Sequence, residues 1–284
     1  MSQSLLFAYG WQGLVLLTWL GLSIGSFLNV VIFRVPVMLE RDWKQQAQSI
    51  LELPEDDAGH PFNLMVPRSR CQECGHQITA LENIPILSWL YLRGKCSSCA
   101  TRISARYPSV ELLTGIATLT AVALFGFTWL GLAICLFTWM LIALTFIDFD
   151  TTLLPDQITY PLLWLGLVTN YFNGIVPLQE AVIGALAGYL FLWSTYWGFK
   201  LVTGKEGMGH GDFKLFAGLG AWLGWTALPG TILIAASVGL VYALTRIFLK
   251  SLTSAEPIAF GPFLAIAGWV TLIYRDSVLA LFQP

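Results

Sequence analysis

Charge is what this chain has least of. Of its 284 residues only 11% are charged, against 56% hydrophobic, and mean hydropathy is +0.69. Soluble domains carry about 25% charged residues. That scarcity excludes a soluble globular domain, a disordered chain and a coiled coil. Histidine is also rare, with three in all, and none stands near a serine and an acid in a triad-like pattern; no HExxH is present. No GxGxxG follows a strand pattern, so no nucleotide-binding fingerprint of that kind exists. Internal repeats and low-complexity segments are missing too. Net charge is −2, which gives no case for nucleic-acid binding. What remains is an all-α polytopic membrane protein.

The few charges are grouped, and the gaps between them are long. Residues 1–33 carry none, and neither do the 36 residues from Leu112 to Ile147. Further gaps run over 157–179, 181–199, 215–245 and 257–274. A membrane-crossing helix needs about 20 apolar residues. The two longest internal gaps each hold two spans, with Gly126 and Gly131, or Gly224, Pro229 and Gly230, at the turns. The expectation is about eight transmembrane helices near 11–33, 110–126, 129–147, 158–174, 180–200, 213–227, 230–248 and 258–275. The first apolar run has no positive charge before it and Arg34 after it. A signal peptide has the reverse order, so the run is read as a span.

Threading eight spans with the N-terminus outside puts all but one of the 15 Lys and Arg residues on one face. The exception is Arg275. Such a bias marks the cytoplasmic side. Three parts follow: a first transmembrane helix over 1–34, a cytoplasmic metal-binding domain over 35–109, and a transmembrane domain over 110–284.

Four of the five cysteines form two CxxC pairs, Cys71 with Cys74 and Cys96 with Cys99. Each such turn aims two thiolates at one point, and two turns complete a tetrahedron. The separation matches tetrathiolate zinc sites, and a cytoplasmic loop disfavours disulfides. Four protein ligands leave no open position, so the zinc is read as structural. His76 stands close by as a substitute ligand or a solvated loop residue. Cys135, inside a span, is read as packing. Between the knuckles, the run from Ile84 to Tyr91 is apolar enough either to pack on them or to lie on the membrane surface.

Ionisable residues at span ends are costly and functional by default. Asp148, Asp150 and Asp156 follow the third span, Asp212 opens the sixth within Gly209-His210-Gly211-Asp212, and Glu111 opens the second. The threading places all five on one membrane face. Asp148 and Asp212 form the candidate pair. Two adjoining carboxylates can share a proton, one acting as base on a water and the other as acid toward a peptide carbonyl. Asp150 reads as a solvated loop acid, Asp156 as a helix cap or a site residue, and Glu111 as a helix-start acid favoured by the dipole.

Taken in order, several segments resemble one known family, the type IV prepilin peptidases or prepilin leader peptidase/N-methyltransferases, which are GxGD aspartic proteases. They are Gly25–Pro36 (GSFLNVVIFRVP), the two CxxC pairs, Arg106–Gly115 (RYPSVELLTG), Asp148 through Pro155-Asp156, Gly209–Asp212 (GHGD) and Ala259–Gly268 (AFGPFLAIAG). The resemblance runs almost end to end. It implies a bifunctional enzyme of the bacterial inner membrane, with its active site facing the cytoplasm. Such an enzyme removes the basic leader of prepilins and pseudopilins after a glycine. It then methylates the new N-terminal amine with S-adenosyl-L-methionine. The implied catalytic residues are Asp148 and Asp212, and the implied zinc ligands are Cys71, Cys74, Cys96 and Cys99. The cytoplasmic loop, with Gly25, Asn29 and Arg34 at its membrane entrance, is the expected neighbourhood of methyl transfer. Glu40, Asp42, Glu52, Glu55, Asp56 and Asp57 could draw a basic leader or form only a solvated acidic face. Two rival readings remain: a GxGD intramembrane protease without methylation, and a transporter whose acids relay protons or ions.

Overall fold

A computed structural model of the chain describes residues 5–54, 61–249 and 258–282. Glu55, Asp56 and Asp57 lie outside them. Regular structure among the described residues is helical, apart from two isolated antiparallel bridges, Arg70 with Gln77 and Lys95 with Arg102. The chain divides into two compact units, residues 1–139 and 140–284.

Unit 1 contains α1 (Leu5–Ile50), α2 (Leu87–Tyr91), α3 (Arg106–Phe125) and the first part of α4 (Trp129–Thr151). Gly10 interrupts α1 with φ 64°, a left-handed conformation that suits a residue without Cβ. From there α1 passes residue 34 unbroken, and its polar end exposes Glu40 and Asp42. It packs on α3 at very short range. A Cβ at Gly21 would lie 2.9 Å from Gly115 Cα, and one at Gly25 would lie 2.6 Å from Glu111 Cα. In lipid, apolar contact between helices gains little, because the acyl chains are equally apolar. Small residues that let backbones close in supply the attraction instead. Trp139 Nε1 donates to Thr118 Oγ1 at 2.9 Å and ties α4 to α3 within this unit.

Unit 2 holds the rest of α4, then α5 (Asp156–Tyr171), α6 (Leu178–Thr203), α7 (His210–Leu223), a 3₁₀ turn at Trp225–Ala227, α8 (Leu228–Phe248), α9 (Gly261–Ile273) and α10 (Arg275–Ala280). Its helix ends carry the expected signals. Gly204 and Gly224 terminate α6 and α7 with φ of 70° and 79°. Proline stands in the first turn of α8 and of α9.

Among the described residues, five helical segments are long and apolar enough to cross a membrane: Gly10–Ile50, Arg106–Phe125, Trp129–Thr151, Leu178–Thr203 and Trp225–Phe248. The chain is thus an all-helical, multi-pass membrane protein. Helices α5, α7 and α9 coincide with three further expected spans but have 16, 14 and 13 residues. At about 1.5 Å per residue they fall short of a hydrocarbon core of about 30 Å.

The short α7 is the core of unit 2. From Leu215 to Leu223 every residue is buried. Its approach to α6 is closer than side chains would permit: a Cβ at Gly220 would lie 2.1 Å from Gly184 O, and one at Gly188 would lie 2.6 Å from Phe216 O. Polar hooks fix its far end. Trp222 Nε1 donates to Leu162 O on α5 at 2.9 Å. Asn170 Nδ2 donates to Ala221 O and Trp222 O, while its Oδ1 accepts from the backbone N–H groups of Ile175 and Val176. Two of the last carbonyls of α7, those of Ala221 and Trp222, are thereby satisfied by a side chain, which suits a helix end inside a membrane bundle.

Candidate functional site

Unit 2 brings Asp148 and Asp212 together. Asp148 lies near the C-terminal end of α4 and Asp212 in the first turn of α7, and they are 4% and 6% exposed. They are close enough for the Asp148 charge to act directly on Asp212. Asp212 is the third residue of α7, behind an N-cap that is Gly209. Its backbone N–H donates to Gly209 O, and its carboxylate receives the Gly209 N–H in return. Only the Asp212 half matches a capping box, since Gly209 has no side chain and accepts through its backbone carbonyl. The GHGD turn thus aims the Asp212 carboxylate rather than using aspartate as the cap itself.

Two further groups complete the surroundings. The backbone N–H of Gly261, which opens α9, donates to the Asp148 carboxylate. A Cβ at Gly261 would fall 2.6 Å from Asp148 Oδ2, and one at Gly211 would fall 2.7 Å from Leu154 Cβ. Leu154 also stands against Gly261, so it lies between the first turn of α7 and the start of α9. Asp148 Oδ2 and Asp212 Oδ1 are buried and have no hydrogen-bond partner. A buried polar atom without a partner calls for an explanation. Two neighbouring carboxylates repel each other when both are charged, so such a pair is suited to hold its two members in different protonation states.

The other candidate acids do different work. Asp156 opens α5 and accepts from Lys214 Nζ at 2.6 and 2.9 Å, joining α5 to α7 two residues past Asp212. Asp150 is exposed. In unit 1, Glu111 is 8% exposed and its Oε2 accepts from the Ile86 N–H at 2.7 Å; Ser26 also bonds it. Gly25 lies against Glu111, and Asn29 Nδ2 donates to Tyr107 O at 3.1 Å. Arg34 is 7% exposed, and its guanidinium donates to Asn63 O and Pro67 O. All three residues at the loop entrance therefore hold unit 1 together.

The four cysteines also converge. Their sulfur atoms lie within 4.8 Å of one another, with Cys71 and Cys99 3.8 Å apart and Cys74 and Cys96 3.9 Å apart, and none is in a disulfide. A tetrahedron with metal–sulfur bonds of about 2.3 Å has edges of about 3.8 Å. The donor set and its spacing therefore fit a metal ion. The two turns are near copies. Cys71 N–H donates to His76 O and Gly75 N–H to Cys71 O; Cys96 N–H donates to Thr101 O and Ala100 N–H to Cys96 O. The residue after each second cysteine is left-handed, Gly75 at φ 72° and Ala100 at φ 57°. Thr101 Oγ1 lies 3.3 Å from Cys99 Sγ.

His76 is not in the ligand group. Its Nε2 faces Glu82 and Ser97 at 3.3 Å. Ser97, between the second pair of cysteines, donates to Glu82, and Thr79 N–H donates to Glu82 at 2.8 Å. One carboxylate so staples the two knuckles. Glu82 is held down to about 2 by these donors, Ser97 first.

Three contributors were not singled out by sequence reasoning: Gly261, Leu154 and Lys214. Gly261 stands in the AFGPFLAIAG segment, where Gly-Pro at a helix start was a usable signal. Leu154 and Lys214 gave none, because their roles depend on which helices meet.

Fold and clusters define a multi-pass helical membrane protein with a buried carboxylate pair and four thiols able to hold a metal ion. The model of the bacterial peptidase A24 N-terminal domain matches residues 19–125, and that of the type IV leader peptidase family matches residues 135–244. A prepilin leader peptidase/N-methyltransferase of Aeromonas salmonicida (strain A449) is 56% identical over 259 residues, covering 90% of this chain and 89% of the relative. Proteins of the same name from Stutzerimonas stutzeri and Neisseria gonorrhoeae are 55% and 52% identical over 263 and 260 residues, covering 93% and 91% of this chain and 91% and 90% of the relatives. No solved structure matches the chain. The chain belongs to the prepilin leader peptidase/N-methyltransferase family.

Proposed function

We propose that this chain is a bifunctional membrane enzyme that removes the leader peptide of type IV prepilins and pseudopilins and N-methylates the residue exposed. The reading rests on family membership together with one observation: Asp148 and Asp212 are buried side by side, each with an unpartnered oxygen. In the reaction the ionised member of the pair takes a proton from a water, whose oxygen attacks the carbonyl carbon of the scissile bond. The protonated member gives its proton to the carbonyl oxygen. Collapse of the tetrahedral intermediate then breaks the C–N bond, and the amine leaves with a proton. Gly261 N–H and the Gly209 cap orient the two carboxylates.

Cys71, Cys74, Cys96 and Cys99 would hold zinc, which would brace a loop with little apolar core. S-adenosyl-L-methionine, when bound, supplies the methyl group for the new N-terminal amine. The three-part division at residues 34 and 109 and a count of eight crossings belong to this proposal. So do a bacterial inner-membrane location, a cytoplasmic active site and lateral entry of the substrate's apolar helix from the lipid.

One assay tests the reading. Purified protein is incubated with a prepilin and S-adenosyl-L-methionine, and the product is weighed. Leader loss plus one methyl group is expected. Leader loss alone would make the chain a GxGD intramembrane protease without methylation, and an unchanged substrate would favour a transporter.

A further inference from the structure

The apolar run between the knuckles has two destinations, and the structure separates them. Trp89 turns inward: its Nε1 donates to Ile103 O at 3.1 Å, and its ring covers Gly94, where a Cβ would lie 2.8 Å away. Leu87, Leu90 and Tyr91, at i, i+3 and i+4, share the opposite face of α2 and are 60%, 58% and 88% exposed. No residue of α2 is buried. A contiguous exposed apolar face of this kind marks a surface that meets lipid or another protein.

Two independent observations identify which. First, α2 is fixed at the end of a membrane-crossing helix. Ile86, at φ 59°, directly precedes α2, and its N–H donates to Glu111 in the second turn of α3. On α3 itself Leu112, the next residue, and Ile116, just over a turn beyond, are 51% and 54% exposed. The exposed face of α2 is thus tied, through Glu111, to the point where the exposed apolar surface of a helix long enough to cross a membrane begins. Second, two exposed cations, Arg93 and Lys95, follow α2 within four residues of Tyr91, and with Arg102 they line an open depression beside the inward-turned Trp89. A short apolar face flanked by cations has the chemistry of a segment that lies in an anionic lipid interface.

We propose that α2 is a membrane-surface anchor: Leu87, Leu90 and Tyr91 insert into the lipid interface at that end of α3, and Arg93, Lys95 and Arg102 meet anionic headgroups. Glu111 is then the tie that sets the depth of the thiol-bearing loop against the bilayer. This docking rests on the membrane-crossing α3 and is independent of the catalytic assignment.

The test uses the full chain in vesicles. Tyr91 is replaced by the photoreactive p-benzoylphenylalanine, and Ser98, exposed on the second knuckle, carries the same probe as a control. Both proteins are reconstituted in phosphatidylglycerol-containing vesicles, checked for monodisperse elution, irradiated and weighed. A lipid adduct at position 91 and none at 98 is expected. Adding Arg93→Gln and Lys95→Gln should lower the adduct at 91 severalfold in those vesicles and leave it unchanged in pure phosphatidylcholine. Equal labelling at 91 and 98, a protein–protein adduct at 91, or no lipid adduct there would overturn the anchor. An adduct indifferent to both lipid charge and the two substitutions would overturn the headgroup contact.

Discussion

The cysteines of unit 1 stand 22 and 28 residues apart across their closest sulfur contacts, and each pair sits on a turn closed by hydrogen bonds of a few residues' reach. Asp148 and Asp212 come from α4 and α7, and nothing local joins them. The helix that carries Asp212 is placed by Gly184 and Gly220, which let α6 and α7 close in, and by Trp222 and Asn170, which hold its far end. The thiol cluster is a property of two turns and a staple. The carboxylate pair is a property of a packed bundle. Damage to the first should therefore stay local, whereas small changes in the second should reach the chemistry.

The strongest way to break the comparison is to remove the pair itself. Asp148→Ala or Asp212→Ala should each lower leader cleavage by on the order of 10² to 10⁴, the range for a lost general acid or base. Each purified variant should still elute as wild type, because Asp212 bonds only its own Gly209 cap and Asp148 gives a single contact, to Gly261 at the start of α9, beside the extensive packing of α7. Cleavage kept within tenfold by either variant removes that residue from the mechanism.

Next comes a change that leaves both carboxylates in place. Gly261→Ala puts a methyl group where Asp148 Oδ2 and Leu154 already stand. Asp148 must move by a fraction of an ångström to about one ångström, and misplacement on that scale costs about 10²-fold in rate. The expected signature is a fall in kcat with KM for the prepilin little changed. A variant with wild-type kcat would show that the backbone at 261 does not set the Asp148 geometry.

How much of this was legible beforehand differs between the two regions for the same physical reason. The CxxC spacing announces the thiol cluster because the turn geometry is local. Charge-free stretches announce the long helices because the bilayer demands about 20 apolar residues in a row. Asp148 and Asp212 could be singled out as acids at span ends, and the structure brings them together. Their supports could not be read so. Gly261, Leu154 and the Lys214–Asp156 pair acquire meaning only from which helices touch. The same holds for α1, which continues as a polar helix to Ile50 past the end of its apolar run. It also holds for α7, whose 14 residues gave the weakest span signal because the helix is enclosed by other helices.

A third substitution should sharpen the contrast by separating metal from cleavage. Cys71→Ser with Cys74→Ser takes two of four ligands and should reduce bound zinc from about one per chain to none, measured by metal analysis after dialysis. Leader cleavage should remain within a few fold, since the carboxylates are held by unit 2 alone. Loss of cleavage equal to that of Asp212→Ala would mean that the knuckles support the peptidase chemistry directly. A wild-type protein free of zinc would sink the metal assignment outright.

The smallest effect lies in the staple between the knuckles. Ser97 and Thr79 hold Glu82 down to about 2, from 4.5 for a free glutamate. A carboxylate with a lowered folded-state value contributes stability above the unfolded value and loses it as pH falls toward the folded one. The staple should therefore be intact from neutrality down to about pH 4.5 and weaken only as pH approaches 2. Its reporter is the Thr79 N–H, which donates to Glu82 at 2.8 Å. In the wild type, amide exchange at Thr79 should stay slow relative to its intrinsic rate across pH 5 to 8. Glu82→Gln keeps the shape but replaces one charged acceptor, so protection at Thr79 should fall severalfold, while metal content and cleavage stay at wild-type levels. Unchanged protection in Glu82→Gln would show that the two turns, closed by their own backbone hydrogen bonds, need no staple.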